Sequence, residues 1–138
     1  MHKEEYAQKI SLVAANRHLR CLVYDQAGDL RLAIEHCLRD LGLEVFGTNS
    51  GVDAVELHRQ QPFDILIVSW SHEALSGPWI LDRIYDTEAV RPGVIVMVSD
   101  ERASLVFPFS VSGIIFKPFT AEKLIKVLWE AIGERVNA

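Results

Sequence analysis

The chain has 138 residues, 14 Lys+Arg against 19 Asp+Glu, a formal net charge of −5, 49% hydrophobic residues and two cysteines. That length suits a single domain able to bury a core, without room for a catalytic domain joined to a regulatory one, and the apolar content argues against disorder. The acidic balance disfavours direct nucleic-acid binding, which needs a basic face, and Cys21 and Cys37 show no metal-like spacing or disulfide framework, as in a reducing cytosol.

The opening MHKEEYAQKI lacks the apolar core and cleavage site of a signal peptide. No apolar run approaches the ~20 residues that span a bilayer, so a cytoplasmic protein away from membranes is expected. Residues 1–17 leave two readings open: an extra helix with Tyr6, Ile10 and Val13 on one side, or a frayed tail. Short β-rich apolar runs follow at 19–25 (LRCLVYD), 43–48 (LEVFGT), 63–69 (FDILIVS), 94–99 (VIVMVS) and 113–117 (GIIFK). Their nearly continuous apolar character predicts parallel strands covered on both faces. Helical spacing separates them. Leu30, Ile34, Leu38 and Leu41 lead to a stop at Gly42, and 50–60 carries Val52, Val55 and Leu57. Ser76 with Gly77-Pro78 opens a third helix through Ile80, Leu81 and Ile84. Thr120 caps a last helix through Leu124, Leu128 and Ile132. The alternation implies a parallel sheet with right-handed crossovers.

Ligands and chemistry gather at strand ends in such sheets, here Asp25, Ser69, Ser99 and Lys117. IIFKPFT at 114–120, a Lys-Pro-Phe after the last strand and before a capped helix, resembles the response-regulator receiver (CheY-like) family. CLVYDQ at 21–26 resembles its first strand with an acidic end, and Arg31 and Gly42 fall where the family has them. NSGVDAVEL at 49–57 resembles the start of its second helix. FDILIVSW at 63–70 resembles its third strand, with Gly77 eight residues beyond Ser69, and VMVS at 96–99 resembles its fourth. The resemblance covers roughly residues 19–135. It implies a flavodoxin-like (βα)5 three-layer sandwich, with strand order 2-1-3-4-5, over residues 18–138 behind an extension at 1–17.

The departures from the family carry the functional expectation. A typical receiver is phosphorylated on an aspartate at the position of Ser69, forming an acyl phosphate that requires a carboxylate nucleophile. It also holds Mg²⁺ through that aspartate, an acidic pair at the first strand's end and a backbone carbonyl. Here the pair is Asp25-Gln26 and the carbonyl position is Ser71. With one carboxylate of three, Mg²⁺ has a poor site, and neither a cofactor nor a metal is expected. Lys117, which in the family answers the phosphoryl charge, is expected to pair with Asp25 and to hydrogen-bond Ser69 and Ser99. The stretch 100–116 is shorter than the family norm and is interrupted by Pro108, so the fourth helix is expected to be short or irregular. The family's switch aromatic is replaced by Ile114.

Other chemistry finds less support. Ser69 and His72 lack the G-x-S-x-G elbow of a serine hydrolase, so no enzyme is expected. Glu73, Asp100 and Glu101 are loop acids near the strand ends that could rebuild a metal site. The five histidines show no paired spacing and read mostly as surface or half-buried residues, and Trp70 and Trp79 as core or rim packing. The last helix is apolar over more than one face. Ile114, Phe116, Ile125 and Trp129 therefore form a candidate contact surface, against the alternative that Trp129 packs on the N-terminal segment. The expectation is a phosphorylation-independent pseudo-receiver of two-component-type signalling. It would be a stand-alone module that binds a protein partner (a histidine kinase, a regulator or a second copy of itself). The alternative is a switch answering a small ligand or metal in the altered pocket.

Overall fold

The computed structural model describes residues 3–70, 76–86, 91–99 and 111–136. In chain order these form α1 (Lys3–Arg17), β1 (Arg20–Tyr24), α2 (Gly28–Asp40), β2 (Glu44–Thr48), α3 (Gly51–Gln60), β3 (Ile65–Ser69), α4 (Gly77–Asp86), β4 (Val94–Ser99), β5 (Gly113–Phe116) and α5 (Ala121–Val136). Every residue of β1, β3 and β4 is buried, as the unbroken apolar runs require of strands covered on both faces. All pairings are parallel, in the order β2-β1-β3-β4-β5.

The two-residue period of the strands sorts their side chains into two layers. Cys21, Val23, Ile65, Ile67, Val96 and Val98 face α2 and α5, with Ile10 and Ala14 of α1 closing the same core. Leu22, Tyr24, Leu66, Val68, Ile95 and Met97 face Ala54 and Val55 of α3 and Ile80, Leu81 and Ile84 of α4. This is the expected three-layer sandwich. The connection at 100–110, where a short or irregular helix was predicted, lies outside the described residues.

Helix ends follow local chemistry. Gly42, at φ +95°, ends α2 in a Schellman pattern: its N–H donates to Arg39 O and that of Leu43 to Leu38 O. Ser50 Oγ accepts from Asp53 N at 3.1 Å and Thr120 Oγ1 from Lys123 N at 3.1 Å, capping α3 and α5.

Two expectations are corrected, at Val52 and at the contact surface, and one histidine departs from the general reading of that residue type. Val52 is exposed, because the buried stripe of α3 runs through Gly51, Ala54, Val55 and His58, and Val52 lies off that face. His58 is fully buried: its Nδ1 accepts from Phe63 N at 3.1 Å and its ring stacks on Phe63. Ile125 is buried in the core that α1, α5 and the sheet share, and Trp129 is half-buried beside α1, with Lys9 Nζ 5.7 Å from its ring centroid. The second apolar stripe of α5 is thus covered by α1, which packs along it. Of the four residues read as a contact surface, only Ile114 is exposed, while Phe116 is half-buried.

Candidate functional site

The order β2-β1-β3-β4-β5 places its switch point between β1 and β3, and the C-terminal ends of the strands meet there. Two backbone bonds hold the tips in register: Trp70 N–H donates to Val98 O and Lys117 N–H to Ser99 O, both at 2.8 Å. Gly77 lets α4 return onto this end, because a Cβ there would come within 2.8 Å of Ser69 O and 3.2 Å of Met97 Sδ.

Asp25 is the hub. Its Oδ2 accepts the Ser69 hydroxyl and lies 3.3 Å from Lys117 Nζ, while Oδ1 accepts from Ala27 N at 2.8 Å. Its carbonyl accepts from Arg31 Nη1 at 2.8 Å. The Asp25 side chain is only 4% exposed, against 29% for that of Lys117. The carboxylate is therefore held by one cation, one hydroxyl and one backbone N–H, a set that compensates a buried charge. Among the described residues, Lys117 Nζ pairs with Asp25 alone of the three groups expected to meet it. Ser69 gives its hydroxyl hydrogen to Asp25, the stronger, charged acceptor, and Ser99 meets Lys117 through the backbone.

Beside the hub lies a cavity of about 190 Å³ lined by Tyr24, Gln26, Ala27, Trp70 and the three hub residues. Gln26 is exposed at its mouth. Ser71, His72 and Glu73, like Asp100 and Glu101, lie outside the described residues. The described donors do not fit a hard divalent cation. There is one carboxylate, both of its oxygens are already engaged, and an ammonium stands 3.3 Å away. No group of three His, Cys, Asp or Glu among the described residues is placed to hold a metal.

The sequence brought out Asp25, Ser69, Ser99 and Lys117, and the fold draws them to one end of the sheet. It did not show what Arg31 does there. Arg31 ties the Asp25 carbonyl to α2, and its Nε lies 3.7 Å from the buried Glu35 carboxylate. Glu35 in turn meets Arg39 Nη2 at 3.1 Å. The i, i+4 spacing of 31, 35 and 39 was the available signal.

Residues 21–129 match the response regulator receiver domain, and the chain belongs to that family. It is 29% identical over 124 residues to the chemotaxis protein CheY of Pseudomonas aeruginosa, covering 86% of this chain and 99% of that protein. It is 27% identical over 121 residues to CheY-3 of Vibrio cholerae, covering 81% and 93%. Among solved structures, a CheY-like receiver domain protein from Methanospirillum hungatei superposes with a TM-score of 0.73 at 20% identity, covering 88% of this chain and all of that one. Vibrio cholerae CheY4 superposes at 0.65 with 22% identity, covering 82% and 98%. These likenesses establish the flavodoxin-like receiver fold. The chain is thus a receiver domain of two-component signalling, a class of module that works through protein partners such as kinases and regulators. Among the described residues, no helix is long and apolar enough to cross a membrane.

Proposed function

We propose that this receiver is phosphorylation-independent and signals as a protein-interaction module. Residues 18–138 form the receiver-like unit and residues 1–17 an extension of it. The observation that carries the reading is the closed hub: Ser69 occupies the tip of β3 and donates to Asp25, which is already paired with Lys117. Ser69 has no carboxylate with which to form an acyl phosphate. The cation that would answer a phosphoryl group is committed to Asp25 instead. Ser69 is then a pseudo-phosphoacceptor, and Asp25, Gln26, Ser71, Ser99 and Lys117 are the remnant of a receiver pocket. Output comes from the surface of the unit itself, toward a kinase, a regulator or a second copy, with Ile114 and Phe116 on the edge strand β5 as the contact. Catalysis and nucleic-acid binding form no part of the reading, and Cys21 and Cys37, neither in a disulfide, accord with a reducing cytosol.

Acetyl phosphate with Mg²⁺, or beryllofluoride with Mg²⁺, is expected to leave the intact mass and the Trp70 fluorescence unchanged. A stoichiometric adduct overturns the reading. The cavity beside Trp70 favours one second reading, a ligand-responsive switch at this end. A melting-temperature rise with one ligand class, lost in Asp25→Asn, would select it.

A further inference from the structure

The opposite end of the sheet holds a second cavity, of about 290 Å³, formed where the C-terminal end of α1 crosses the starts of β1, β3 and β4. Its apolar lining includes Val13, Phe63 and Ile132, and its charged lining is Arg17, Arg91 and Asp64. Arg17 and Arg91 line this cavity and Arg20 stands at the start of β1 beside it, and the three differ in how they are used. Arg20 is buried and committed: Nη1 donates to Gln61 O at 2.9 Å and Pro62 O at 2.7 Å, and the guanidinium lies over Phe63 at 4.3 Å. Arg17 and Arg91 are exposed, and neither is within ion-pair distance of Asp64 or any other acid among the described residues. Arg91 is steadied by the Tyr85 ring, 4.3 Å from its guanidinium carbon. Asp64 is already engaged, since its Oδ2 accepts from Arg20 N at 2.8 Å.

A cavity lined by two guanidiniums that pair with no acid among the described residues, against the single carboxylate of Asp64, is net positive on a chain of net charge −5. We propose that this cavity binds a small amphipathic anion, a carboxylate or phosphate monoester on a short apolar chain. Arg17 and Arg91 meet the head and Val13, Phe63 and Ile132 the tail. The volume is near the lower bound for small-molecule pockets, and an apolar lining with few charged groups is their usual composition. Because α1 supplies one wall, an occupied cavity holds α1 against the sheet and α5.

Titration of the full chain with hexanoate and hexyl phosphate, followed by amide NMR shifts and calorimetry, tests this. At least one is expected to bind saturably, shifting residues around Val13, Phe63 and Val94 while leaving Asp25 and Lys117 still, and the better of the two identifies the head. Hexanol and inorganic phosphate are expected to bind at least about tenfold more weakly, and so are both anions to Arg17→Gln and Arg91→Gln. The proposal fails if neither anion saturates. It also fails if the double variant binds as the parent does, if hexanol or inorganic phosphate matches the anions, or if the shifts centre on Asp25.

Discussion

At the scale of single residues, the Asp25–Lys117 pair is asymmetric, because the acid is buried and the ammonium reaches solvent. Removing the cation strands a buried carboxylate, whereas removing the acid leaves an ammonium that water can still reach. Lys117→Met is therefore expected to lower unfolding free energy by about 2–3 kcal/mol, below the range for a fully buried pair because Lys117 is partly exposed. Asp25→Asn should cost about 1–2 kcal/mol, and the double variant less than the sum. Urea denaturation of the four proteins reads all three outcomes, and a larger loss in Asp25→Asn than in Lys117→Met contradicts the assignment. Cys21 offers a pH test. Burial first, and the nearby Asp64 carboxylate second, push its thiol pKa far above the ordinary value. Below about pH 8.5 both folded and unfolded thiols keep their proton; above it the unfolded thiol loses its proton and the folded one does not. Stability should then fall with rising pH by up to about 1.4 kcal/mol per unit from this residue. Denaturation between neutral and alkaline pH should show a shallower decline in Cys21→Val than in the parent.

At the scale of elements, α1 lies outside the residues 21–129 that match the family and still packs into the core. Ile10 is fully buried and Ala14 nearly so, both in the core shared by α2 and α5. Ile10→Ala is expected to destabilise the whole domain by about 2–4 kcal/mol, the cost of a buried cavity, where a frayed tail would lose almost nothing. A single denaturation transition shifted to lower urea is the expected record; early loss of helical signal from α1 alone, with an unmoved main transition, contradicts its place in the core. The same packing explains why α5 looked two-faced: one stripe covers the sheet and the other is covered by α1, so its apolar excess needs no outside partner.

At the scale of the whole molecule, the proposed reading is of a receiver fold kept while the chemistry of its strand ends is altered. On that reading three pocket carboxylates, as in a typical receiver, would need Mg²⁺ to relieve their repulsion, whereas among the described residues the one carboxylate of the hub, Asp25, is paired with Lys117. Millimolar Mg²⁺ is accordingly expected to leave the urea midpoint unchanged, and a saturable increase contradicts the closed hub. Strand positions, the cap at Thr120, the stop at Gly42 and the residues at the strand ends were legible in the sequence. Each depends on local spacing or on a short-range hydrogen bond. His58, Val52 and Trp129 were not, because burial depends on which neighbour a face meets. Composition and periodicity by themselves determined a parallel α/β sheet, and the resemblance carried by the motifs at 21–26, 63–70, 96–99 and 114–120 implied a receiver with Ser69 at the tip of its third strand. Only the tertiary structure decided that the Ser69 hydroxyl goes to Asp25 rather than to Lys117, that α1 covers Trp129, and that Arg17 and Arg91 share one cavity. Those are contacts between segments far apart in the chain, and local pattern carries no information about which distant side chain will satisfy a buried charge or cover an apolar face.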